Sequence, residues 1–185
     1  MARVLLLVFS ALWSWLAMQA VHELGHALAA LATGGTIQAV RFHPLSISQT
    51  FVDPNPHPGI VVWMGPVLGA VLPVLLWGLA RAARLRFAWF LQFFAGFCLI
   101  ANGAYIGTGI WDPVGDAADL VRLGVPPWQL ALFGLPTFST GLWCWDGISR
   151  EFGWGKNARS VSFREPFYVA GLLTITAITG WWHSS

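Results

Sequence analysis

Long apolar runs separated by short polar breaks dominate the chain. Residues 4–33 form the first run, interrupted by a charged cluster at 22–26. Further runs occupy residues 59–80, 87–110, 128–145 and 166–182. Crossing hydrocarbon takes about 20 apolar residues in a helix. The first run exceeds that length, so it tilts or projects into the headgroup region. The last two are near the minimum. Gly34-Gly35 closes the first run as a helix C-terminus. Residues 36–42 then alternate polar and apolar, the period of a strand, and residues 47–52 are a candidate partner strand. Asp53-Pro54-Asn55-Pro56-His57-Pro58 excludes regular structure. The pattern predicts an all-α polytopic membrane protein. It has about five transmembrane helices and a short β-hairpin-like segment after the first. Residues 1–125 would form a core around the first three spans, and residues 126–185 an accessory pair of C-terminal spans.

Composition agrees with a membrane setting. Only 10% of the 185 residues are charged and 56% are hydrophobic, whereas soluble domains carry about 25% charged residues. Twelve Trp and thirteen Phe suit the aromatic belts at bilayer surfaces. The net charge of +2 comes without a dense basic stripe, which argues against nucleic acid as a partner. Cys98 and Cys144 lie in apolar surroundings without ligand spacing and read as small buried hydrophobes. The start of the chain resembles a secretory signal. Apolar sequence continues past Met18-Gln19-Ala20, however, and favours a retained span. Arg3, then Arg81, Arg84 and Arg86, then Arg150, Lys156, Arg159 and Arg164 alternate with loops poor in basic residues. The positive-inside rule places the amino terminus in the cytoplasm. Residues 34–58 and the acidic stretch 112–119 would then face outward.

The charged cluster is His22-Glu23-Leu24-Gly25-His26. Ionisable residues inside a span are expensive and mark a functional site. His22 and His26 are four apart, so one helix face presents both imidazoles to a shared metal ion. Glu23 can reach a water beside that ion. This is the H-E-x-x-H arrangement of zinc hydrolases. A catalytic zinc takes three protein ligands. Asp116 is the first choice for the third, and Asp112 the alternative, because both follow a span parallel to the first. Asp119, one turn beyond Asp116, is a candidate partner for it. Asn102, a polar residue in the third run, is a candidate for oxyanion or substrate contact or for helix–helix hydrogen bonding. His43 and His57 lie in the loop region, where solvation is the ordinary fate. Other divalent ions also suit such a ligand set.

These residues together resemble the site-two protease family of intramembrane zinc metalloproteases. The resemblance rests on His22-Glu23-Leu24-Gly25-His26 with Ala27 and Ala30, on Gly34-Gly35 and the β-like stretch to Pro44, on Met64-Gly65-Pro66, and on Asn102 followed by an Asp. It covers about residues 4–120 and is closest to short bacterial membrane members. It implies a three-helix core in a bacterial cell membrane, with Zn2+ held by two His and one Asp. It further implies cleavage of a transmembrane protein or peptide substrate within the bilayer. The family's Asp-Gly element is not reproduced. Asp112 precedes Pro113, and Asp116 lies between Gly115 and Ala117. The leading expectation is a zinc metalloendopeptidase with Glu23 as general base. The alternative is a non-proteolytic metal-binding membrane scaffold or binding protein. A metal transporter would need polar residues along several spans, and few occur outside the first and third.

Overall fold

The computed structural model describes residues 1–182. The elements follow in the order α1 (Ala2–Ala32), β1 (Ile37–Arg41), β2 (Gln49–Val52), α2 (Pro58–Ala82), α3 (Ala88–Thr108), α4 (Asp116–Arg122), α5 (Pro127–Trp145), a 3-10 turn (Ile148–Arg150) and α6 (Arg164–Trp182). Each apolar run became a helix whose ends lie within two residues of the expected ones. Three helices, α1, α2 and α3, are long and apolar enough to cross a membrane. α5 and α6 are each 19 residues long but interleave Thr, Ser and Gly with their apolar residues, which lowers their mean hydropathy. The fold is therefore mostly helical, with three candidate membrane-crossing helices and one two-stranded sheet.

Local chemistry explains the boundaries. Gly34 adopts φ 79°, which ends α1, and the Gly35 amide donates back to Ala30 O at 2.8 Å. That left-handed cap satisfies carbonyls that a helix end would orphan. The strands pair antiparallel, with Val40 opposite Thr50 and a bulge between Ile37 and Ala39. Pro58 opens α2, while Pro66 and Pro73 sit inside it. Interior prolines are tolerated in membrane helices. The element not anticipated is α4, which lies in the stretch read as an acidic loop. At seven residues it is too short to show a helical period.

Small residues set the helix spacing. A Cβ on Gly25 would overlap the Met64 carbonyl oxygen, so the α1 and α2 backbones touch there. In the same way Gly103 and Gly107 of α3 meet Gly134 of α5. Close backbone approach of this kind holds membrane helices together where apolar burial cannot. One end of the bundle is closed by an aromatic core. Leu6, Phe90, Phe93, Phe152 and Val169 pack there with Trp13 and Trp145.

Candidate metal centre

α1 carries the centre. His22, Glu23 and His26 are all buried, at 8%, 5% and 7% exposure. One ligand atom from each lies within 4.8 Å of the others. The roles of the four imidazole nitrogens follow from their partners. His22 Nδ1–H donates to Asn102 Oδ1 at 2.8 Å. The Asn102 amide cannot be turned round, because its Nδ2 donates to Cys98 O at 2.9 Å. His26 Nδ1–H donates to Val61 O at 2.8 Å, and a carbonyl can only accept. Both Nδ1 atoms are thus protonated donors, and in the neutral rings both Nε2 atoms carry lone pairs.

Those two lone pairs point at a third electron-pair donor. Asp116 Oδ2 lies 2.7 Å from His22 Nε2 and 3.3 Å from His26 Nε2. Three such atoms facing one another repel unless a cation or proton lies among them. Ligands around a tetrahedral zinc with bonds of about 2.0 Å sit about 3.3 Å apart, so the spacing needs only small adjustment. The donor set of two imidazoles and one carboxylate also fits zinc chemistry. Burial pushes the Asp116 carboxyl pKa up, but the His22 and His26 imidazoles, when protonated at Nε2 as well, outweigh it by hydrogen bonding and hold the group below the usual carboxylate range.

Glu23 is anchored differently. Ser48 Oγ donates to its Oε1 at 2.7 Å and Thr50 Oγ1 to its Oε2 at 2.5 Å. The Ser48 amide donates to Gln19 Oε1 at 2.9 Å. The hairpin therefore holds the carboxylate beside the imidazoles while Asp116 approaches them directly. A cavity of about 690 Å³ opens over this arrangement. It is lined by α1, by β2, and by Tyr105 and Asp116. Gln19 Nε2 is buried beside it without a partner among the described residues.

The other expected residues fall as follows. Asp112 is exposed in the turn after α3 and does not line the cavity. Asp119 pairs with Arg122 at 2.5 Å instead of with Asp116. Asn102 has its oxygen bonded to His22 and its nitrogen to Cys98 O. It is an imidazole holder by geometry, and the oxyanion contact expected of it has no support in these bonds. His43 stacks near Trp181, with ring centroids 4.8 Å apart, and His57 is exposed ahead of α2. Neither reaches the centre. Sequence reasoning passed over Ser48, Thr50, Gln19 and Tyr105. The spacing of Ser48 and Thr50 on one strand face was the available signal.

A sequence model of the family described as Peptidase M50B-like matches residues 1–107, which is more than half of the chain. The chain belongs to the Peptidase M50B-like family. This is a site-two protease family, so the three candidate membrane-crossing helices and the buried His-Glu-His cluster occur in a chain of a membrane-protease family. The matched segment of this M50B-like chain contains His22, Glu23, His26, Asn102 and Tyr105 but ends before Asp116. No curated protein and no solved structure matches the chain.

Proposed function

We propose that this protein is a zinc-dependent intramembrane endopeptidase that hydrolyses peptide bonds of membrane-embedded substrates in a bacterial cell membrane. His22, His26 and Asp116 would hold the metal. The observation that carries this reading is the convergence of three electron-pair donors, two of them imidazole nitrogens whose rings already commit their N–H to Asn102 and to the Val61 carbonyl. A bound zinc ion supplies Lewis acidity, bringing the pKa of water down toward about 7 and polarising a carbonyl. Glu23 takes a proton from the attacking water at a carboxylate oxygen and later delivers it to the leaving amine. Asn102 and the Val61 carbonyl keep the imidazoles in the tautomer that leaves Nε2 free. The cavity along α1 accepts an extended stretch of substrate chain. In the same reading residues 1–125 are the catalytic core, and α5 and α6 cross the membrane beside it as accessory spans.

The test compares the purified protein with its Glu23→Gln variant in detergent or liposomes. The probe is a panel of single-span peptides, followed by mass spectrometry of the products. Cleavage by the wild type should stop with a zinc chelator and return with added Zn2+. Glu23→Gln should retain about one zinc per chain and lose at least about 10²-fold in rate, the range for a missing general base. Cleavage that survives both treatments would remove the peptidase mechanism. Stoichiometric zinc without any cleavage would favour a metal-binding scaffold.

A further inference from the structure

Each presumed metal ligand has its own anchor. His22 is held by Asn102 and His26 by the Val61 carbonyl. Asp116 is the ligand that does not sit on a long helix. It begins a seven-residue helix just after a loop, so its position depends on what fixes that loop. The main-chain amide of Asp116 donates to the Tyr105 phenol oxygen at 2.7 Å. No side chain of α4's own N-cap residue is available for this, because that residue is Gly115. The first amides of a helix lack internal acceptors, and Tyr105 supplies one from α3.

Three further observations bind Tyr105 to the centre. Gly115 has φ 52°, and a Cβ there would collide with the Tyr105 hydroxyl. The phenol thus occupies the space that the missing side chain leaves. The Tyr105 ring lies edge-on to His22, with centroids 5.9 Å apart. Tyr105 also follows Asn102 by three residues on α3, which puts the two on neighbouring positions of one helix face. That face therefore holds two ligands at once, His22 through Asn102 and Asp116 through Tyr105.

We infer that Tyr105 is a positioning residue for the third metal ligand: its phenol oxygen fixes the Asp116 amide, and with it the carboxylate, at the two His Nε2 atoms. This rests on the reading of His22, His26 and Asp116 as the ligand set. The bland alternative is that Tyr105 only caps α4 for the sake of the fold. The two differ in what Tyr105→Phe does to metal binding.

The experiment titrates the metal-free full-length protein in detergent with Zn2+ against a competing chelator. It covers the wild type, Tyr105→Phe, Asp116→Ala and the double variant. Co2+-loaded samples report the ligand field. Tyr105→Phe should weaken zinc binding about 10- to 100-fold, the usual effect of removing a group that orients a ligand. It should also alter the Co2+ visible spectrum. In the Asp116→Ala background the same change should have no further effect, since Tyr105 acts through that carboxylate. Unchanged affinity and an unchanged spectrum in Tyr105→Phe would overturn the inference. So would a loss of equal size in both backgrounds, which is what a general effect on the fold produces. If the wild type binds no zinc, or Asp116→Ala binds it as tightly as the wild type, the ligand set itself fails and the inference falls with it. If Asp116→Ala loses affinity and Tyr105→Phe does not, the ligand set stands and only the role of Tyr105 is lost.

Discussion

Gly65 sits inside α2, where alanine would favour a helix by about 1 kcal/mol. Glycine is needed there for space. A Cβ at this position would overlap His26 Cε1 and Nε2 and come within 2.8 Å of His22 Nε2. Gly69, one turn on, plays the same part for Asn102, whose side-chain atoms would lie 2.8 to 3.1 Å from an added Cβ. Gly65→Ala should therefore abolish stoichiometric zinc binding by equilibrium dialysis and leave the far-UV helical signal unchanged. Retention of full zinc affinity would show that the two Nε2 atoms are not the metal-facing atoms. The His22 and His26 pair was legible at this scale because its spacing of four is a property of one helix. The glycine's relation to those imidazoles was not, because it depends on how α2 registers against α1. Met64-Gly65-Pro66 carried part of the family resemblance and said nothing about what the glycine packs against. Asn102 shows the same limit: its polarity in an apolar run demanded a partner, and only packing identified that partner as His22.

The hairpin and α1 fit each other by their rises. Two strand residues advance about 6.8 Å and four helix residues about 6 Å. Ser48, just ahead of β2, and Thr50 within it can therefore meet Gln19 and Glu23 on one helix face. The contacts are the Ser48 amide to Gln19 and the two hydroxyls to the two oxygens of Glu23. The strand period was readable in residues 36–42 and 47–52. Its docking onto Glu23 was not, since alternation names a face and not what lies opposite. Combining Ser48→Ala with Thr50→Val keeps the strand's volume and β propensity while freeing the carboxylate. Turnover of a cleavable peptide should fall by up to about 10²-fold, the cost of a misplaced reacting group, with zinc affinity unchanged. A parallel loss of zinc would mean instead that the hairpin supports the ligands.

Across the whole molecule, charge is sorted by end. Arg3 precedes the bulk of α1, Arg81, Arg84 and Arg86 lie at and after the end of α2, and Arg150, Lys156, Arg159 and Arg164 join α5 to α6. The Arg3 side chain would touch a Cβ on Gly153, so the amino terminus and the α5–α6 connection share one end of the bundle. Eight of the ten basic residues therefore gather there, and only Arg41 and Arg122 lie elsewhere. His22 is some twenty residues up α1 from that end, about 30 Å at 1.5 Å per residue, which is the thickness of the hydrocarbon core. α3 runs parallel to α1, and the bond from His22 to Asn102 puts the two at one depth. The positive-inside rule predicts that the basic end is cytoplasmic, with the candidate metal centre and the hairpin toward the opposite face. Single cysteines test this in intact bacterial cells, against a background with Cys98 and Cys144 replaced. His57→Cys, beside the hairpin, should react with a membrane-impermeant maleimide added outside. Arg84→Cys should react only after the membrane is opened. The reverse pattern would put the hairpin and the cavity mouth on the cytoplasmic side and overturn the topology derived from charge.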